Sequence, residues 1–286
     1  MAPVPTVSRI FADRYRREAT RLEKLHASHL APGTATWGAA MQAMEDRVGR
    51  LPGPIKRTTA IRNAATYLRS SQKDSMHFML GLYTRKRSSA MSFGTINFGT
   101  HPLAGVSEDG VSVMRHTMLC RRDWGGGSKV NQSMAYISRH AVQRLHERGR
   151  ELTIETATKM FTAIGMLGFM LSFDTRHIDG GMCLRLNEDM LAVGVVRFAV
   201  GTGCDINDSC TFFEVRTFLS LDELDSRPTQ RRQGEAAFNA VCEWVKGDRD
   251  VESSKTLSET IPMLEWREHD FVQQTAVKVT RESVHG

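Results

Sequence analysis

With 286 residues, 41% hydrophobic and 24% charged, the chain has the composition of a folded globular protein with ample core. No apolar run approaches the roughly 18 residues of a membrane span, and the opening MAPVPTVSRIFADRYRR has no apolar signal core, which argues against a membrane protein and against secretion. The net charge of +6 is unevenly placed. Residues 1–150 carry 24 Lys+Arg against 10 Asp+Glu and the remainder 14 against 22, so a face for a polyanion sits beside a more acidic body.

In chain order, residues 8–29 read as a helix whose polar side crowds Arg14, Arg16, Arg17, Arg21 and Lys24, ended by the APGT break. A second helix is predicted from Trp37 to Val48, stopped at GRLPGP. A third runs from Lys56 to Ser70 on an apolar face of Ile61, Ala64, Ala65 and Leu68. YTRKRSS then reads as a basic turn. MSFGTINFG and GVSVMRHTMLC have the period-two pattern of strands, separated by a loop rich in Gly, Pro and Asp. RDWGGGSKVNQS reads as a flexible loop, and it lacks the spacing of a phosphate loop. After a short helix over 138–148 comes a longer one from Thr153 to Leu167. The strands MCLRL, MLAVGVVRFAV and CTFFEVRTFLS follow as an antiparallel meander, and Ala236–Val245 closes with a helix.

This order predicts an α+β fold: a helical N-terminal region, then helices packed on one face of an antiparallel sheet. The expected division is a basic helical region at 1–88, an α+β domain at 89–246 and a loosely packed tail at 247–286. The expected core includes Leu145, Phe161, Ile164, Val193, Val195, Phe213, Val215 and Phe218.

The most informative segment is YISRHAVQRLHERG, residues 136–149. Ser138 can cap the helix, with Ile137 placed to pack on Val142, and Gly149 suits the C-terminal left-handed position. Ala141, Val142 and Leu145 form one narrow apolar stripe. Spacings of three and four residues bring His140, Arg144, Glu147 and Arg148 together on an adjacent face. One imidazole and two guanidiniums suit phosphate binding or phosphate chemistry. His116 alternates with Arg115 on a strand and could add a second titratable group, as could Arg216. The plain structural alternatives are His140 packing beside the sheet, Arg144 pairing with Glu147 or Glu151, and His116 half-buried in its strand. His146 points elsewhere, towards solvent.

The run SRHAVQRLHERG, followed by an amphipathic helix and a three-stranded meander, resembles the barnase–colicin–RelE class of ribonuclease toxins. It is also similar to small domains whose helix reads roughly S-x-H-A-x-x-R-x-x-x-R-G. The matching positions are Ser138, His140, Ala141, Arg144, Arg148 and Gly149, and the resemblance covers about residues 135–222. It implies metal-independent RNA cleavage by attack of the 2′-hydroxyl on its own phosphate, with His140 in an acid–base role and Arg144 and Arg148 on the phosphate. Arg150 and Glu151 depart from the pattern after the glycine, and the first 90 residues have no counterpart in it.

No cofactor and no metal site is expected. The five cysteines are scattered without CxxC spacing, which points to free thiols in a reducing cytoplasm. Cys210 and Arg216 stand where a calcium loop after Asp205 needs Gly and Glu. Two readings stay open. One is an endoribonuclease domain whose N-terminal region holds nucleic acid, RNA more than DNA, through Arg14, Arg17, Arg21, Arg57, Arg62 and Arg69. The other is a non-catalytic module that binds nucleic acid, or an acidic protein partner, through the same basic face.

Overall fold

The computed structural model describes residues 5–72, 76–85, 88–102, 106, 108–121, 127–148, 152–173, 175–199, 210–220, 223, 227–247 and 251–262. Three helices come first: α1 (Pro5–Leu30), α2 (Trp37–Arg50) and α3 (Pro54–Ser70). Four strands follow, β1 (His77–Arg85), β2 (Ser88–Thr100), β3 (Asp109–Arg121) and β4 (Gly127–Ser138), then helices α4 (Arg139–Arg148) and α5 (Ile154–Leu171). Strands β5 (Gly181–Arg185), β6 (Met190–Ala199) and β7 (Cys210–Ser220) lead to α6 (Pro228–Lys246) and α7 (Val251–Glu259).

The fold is α+β, but its sheet is mixed. Seven strands lie in the order β1-β2-β3-β4-β7-β6-β5. All neighbours are antiparallel except β4 and β7, which run parallel through Ala135–Phe213, Tyr136–Glu214 and Ile137–Val215. The wholly antiparallel sheet expected from short connections fails at this one junction. The chain leaves β4 through two helices and returns by way of the meander, a long crossover that permits parallel pairing.

Helices also cover both faces rather than one, and strand alternation shows why. In β2, Ile96 belongs to a core shared with Tyr15, Val142, Phe161, Leu167 and Trp244, whereas Met91 and Phe93 belong to a core shared with Trp37, Met41, Ile61 and Leu68. Neighbouring side chains point to opposite faces of a pleated strand, so the first core lies under α4, α5 and α6 and the second under α2 and α3. Helix α1 supplies Phe11 and Leu22 to the first and Ala27 and Leu30 to the second. All eight core residues expected from the sequence are buried.

Two strands take up residues expected in a turn and a loop. The basic turn expected at YTRKRSS is flanked by strand on both sides: Tyr83–Arg85 end β1, Ser88 and Ser89 open β2, and Arg85 pairs antiparallel with Ser88. Strand β1 lies within the 1–88 region. Its alternation is broken by a bulge between Met79 and Gly81. Residues 127–133 of the expected flexible loop lie in β4, where Met134 and Ala135 are buried. Close approach to this strand depends on Gly168 of α5. A Cβ there would fall on the backbone carbonyl of Met134, so only glycine lets the helix lie this near.

Helix α6 begins eight residues before the expected Ala236, and its added turns hold the sheet edge. The fully buried Gln233 accepts from Cys183 N at 2.8 Å and donates to Gly181 O at 3.2 Å and Pro262 O at 2.7 Å. The edge strand β5 thereby gains a side-chain partner where no eighth strand among the described residues pairs with it. Pro262 ties in the segment after α7, and Ser258 and Ile261 are buried. The tail expected over 247–286 thus docks through residues 251–262. Residues 263–286 lie outside the described part.

Candidate functional site

Helix α4 is built as its sequence suggests. Ser138 Oγ accepts from Ala141 N at 3.1 Å, the capping bond, and Ala141, Val142 and Leu145 are buried. Gly149 lies outside the described residues. His140 is exposed in the first turn, and no hydrogen bond or ion pair joins it to a second titratable side chain among the described residues. Arg144 pairs with Glu147 at 2.9 Å. Arg148 is turned to a structural use. It pairs with Glu223 at 2.6 Å, donates to Thr217 Oγ1 at 3.3 Å and also donates to Phe218 O. Glu223 in turn accepts from Ser220 N at 3.0 Å. Burial lowers the guanidinium pKa of Arg148, with the Glu223 carboxylate opposing the effect. His146, expected in solvent, is half-buried with its ring 5.1 Å from that of Phe11.

His116 does not join this group. Its Nε2 lies 2.9 Å from Thr95 Oγ1, its ring stacks at 5.2 Å on Phe93, and it is 4% exposed. It shares the face of Phe93 and Trp37, whereas Ala141, Val142 and Leu145 pack with the opposite core. The sheet therefore stands between His116 and α4. Arg115, on the other face, lies 4.7 Å above the Phe169 ring and donates to Ser92 Oγ and Thr117 Oγ1.

Arg216 is exposed and belongs to a cluster that sequence reasoning missed. Glu214, its side chain 3% exposed, pairs with His101 at 3.1 Å, Arg197 at 3.2 Å and Arg216 at 3.0 Å. Arg197 also reaches Asp179 at 3.2 Å. The His101 ring meets Tyr136 edge-on at 4.4 Å, and the Tyr136 hydroxyl donates to Glu108 O at 2.9 Å. Burial, reinforced by the nearby Glu108, Asp109 and Glu214 charges, raises the pKa of the Tyr136 phenol. A buried carboxylate is costly unless paired, and here the Arg197 and Arg216 guanidiniums and the His101 imidazole meet it. The available signal was a single acidic residue, Glu214, among Phe212, Phe213, Val215 and Phe218 in the strand run TFFEVRTF.

The N-terminal helices present a more open set of cations. On α1, Arg14, Arg17, Arg21 and Lys24 are exposed at spacings of three, four and three residues, so they form one stripe about 15 Å long. Arg21 pairs with Glu18 at 2.7 Å, a solvent-screened surface contact that leaves its guanidinium open to a ligand. Arg62 and Arg69 are exposed seven residues apart on α3, and Arg69 borders a cleft of about 940 Å³ between α1, α3, β1 and α5. Arg57 is differently placed. It donates to Leu51 O at 3.1 Å and Gly49 O at 3.2 Å, closing the C-terminus of α2.

No cluster of three or more His, Cys, Asp or Glu among the described residues could hold a metal ion. No helix among them is long and apolar enough to cross a membrane. Cys183 is buried, and burial pushes its thiol up to about 12. The chain matches no known family model, no curated protein and no solved structure.

Proposed function

We propose that this chain is a nucleic-acid-binding protein that contacts phosphates through its N-terminal helices, with RNA preferred to DNA as the sequence resemblance implies. The observation that carries this reading is the exposed stripe of Arg14, Arg17, Arg21 and Lys24 on α1, with Arg62 and Arg69 also exposed on α3. Cations held on rigid helices neutralise phosphates without a large ordering cost, and the net charge of the first 150 residues supplies a long-range attraction. Arg57 is left out of the contact set because its guanidinium serves the α2 terminus. Fluorescence anisotropy with a labelled 20-nucleotide RNA tests the reading. Replacing Arg14, Arg17 and Arg21 together by Ala should weaken binding at least tenfold in low salt, and unchanged affinity would overturn it.

The endoribonuclease reading retains one favourable observation, the exposure of His140 on a capped helix. Against it stand the engagement of Arg148 by Glu223 and β7 and the burial of His116 on the far face. Incubation of labelled RNA with the protein in EDTA, beside His140→Ala, decides the matter. Metal-independent cleavage that falls about 10²–10⁴-fold in the variant would restore the enzyme.

A further inference from the structure

Helices α1, α2 and α3 converge on a groove of about 190 Å³, apolar at its base through Met44 and Val48. Four polar or aromatic side chains line its wall and rim: His29, Arg47, Asn63 and Tyr67. The His29 ring lies flat on Tyr67, with centroids 3.8 Å apart and planes 12° from parallel. The Tyr67 hydroxyl is held from behind by His26 Nδ1 at 2.7 Å, and the His26 ring is itself stacked with the buried Trp37. A column of rings therefore runs from the interior to the surface and ends in the exposed His29. Arg47 and Asn63 are exposed beside it, and Arg47 forms no ion pair with a described residue.

We infer that this groove receives one unstacked base of a single-stranded nucleic acid. The inference rests on the nucleic-acid reading above and narrows it to single strands. An aromatic platform fixed by buried partners offers a π-face to any base, the usual means by which single strands are held. The Asn63 amide can both donate to and accept from a base edge, and Arg47 can meet the adjoining phosphate. A volume of about 190 Å³ is well below the roughly 300–1,000 Å³ of sites for larger ligands, which suits one ring system. A duplex keeps its bases stacked and paired, so it would use the basic stripe and leave the groove empty.

The test compares a labelled 12-nucleotide single-stranded RNA with the duplex of the same sequence, by anisotropy on the full chain at one salt concentration. His29→Ala should weaken single-strand binding about 5- to 150-fold, the range for loss of one stacked base, and leave duplex binding within twofold. His29→Phe, which keeps a ring there, should restore it. Asn63→Leu, at an exposed helix position, should also lower single-strand affinity while the thermal melting curve stays unchanged. If the unaltered protein binds neither RNA, the nucleic-acid reading itself fails. If it binds and His29→Ala changes nothing, or weakens both RNAs equally, the groove is not a base site and only the phosphate contacts stand.

Discussion

Lowering the pH from 7 to about 4 should remove about 3 kcal/mol of stability through His77 alone. This imidazole is 2% exposed, with Nε2 2.9 Å from Leu68 O and 3.2 Å from Ser71 Oγ. Its ring meets His26 at 5.0 Å and Trp37 at 5.4 Å. Burial pushes the pKa down to about 4, the nearby His26 adds to the depression, and the bond to the Leu68 carbonyl opposes it. The unfolded chain takes up a proton as pH falls through about 6.5, but the folded chain does so only near 4. Between those values the unfolded state binds more protons, so stability rises with pH across the window and is flat on either side. At about 1.36 kcal/mol per pH unit the interval gives about 3 kcal/mol. Urea unfolding at half-unit pH steps would measure the slope, and an NMR titration of the ring would give the folded-state midpoint. His77→Phe should be less stable at pH 7, by about 1–3 kcal/mol for the lost imidazole bond to the Leu68 carbonyl, yet lose less on acidification. A folded-state midpoint at or above 6.5, or an equal acid slope in the variant, would refute the reasoning.

Three further outcomes follow from packing and pairing. Gly168→Ala should destabilise by about 3 kcal/mol in thermal melts, because the new methyl meets the Met134 carbonyl and α5 must lift from β4. Gln233→Leu should cost about 2–4 kcal/mol and raise hydrogen exchange at Cys183 N, whose side-chain acceptor is lost; unchanged protection there would contradict the edge role of Gln233. Glu214→Gln should destabilise by about 3 kcal/mol by removing the buried carboxylate charge that Arg197 and Arg216 share, measured as a shift in denaturant midpoint at constant slope.

Elements with long regular periodicity were legible from the residues. The three N-terminal helices, α5, β2, β3 and the meander all lie where their apolar patterns place them. Strand β1 was hidden because its bulge at Met79–Gly81 breaks the alternation, and its end merges with the basic YTRKRSS run. Strand β4 was hidden by composition. Gly127, Ser128, Lys129, Asn131, Gln132 and Ser133 are poor strand formers, and the segment is extended because β3 offers an edge along its length and β7 joins near its end. The parallel junction with β7 depends on contacts nearly 80 residues apart, which no local pattern reports.

For the candidate site, the cap and apolar stripe of α4 were legible because both are local, as was the alternative pairing of Arg144 with Glu147. The pairing of Arg148 with Glu223, 75 residues away, was not. Nor was the gathering of His101, Arg197 and Arg216 around Glu214, which draws on the end of β2 and on two meander strands. The opposite placement of His116 and α4 follows from sheet order and from which face the helix covers. Alternation along β3 alone leaves both choices open.

The salt dependence of RNA affinity tests the central proposal most directly. If Arg14, Arg17, Arg21 and Lys24 each neutralise one phosphate of a single strand, log affinity should fall against log salt with a slope of about −3, near −0.7 per contact. Raising salt from about 50 to 200 mM should then weaken binding about 50-fold. The Arg14, Arg17 and Arg21 triple alanine variant should lose about two units of that slope. A slope near zero in the unaltered protein, or an identical slope in the variant, would contradict phosphate binding by the N-terminal helices.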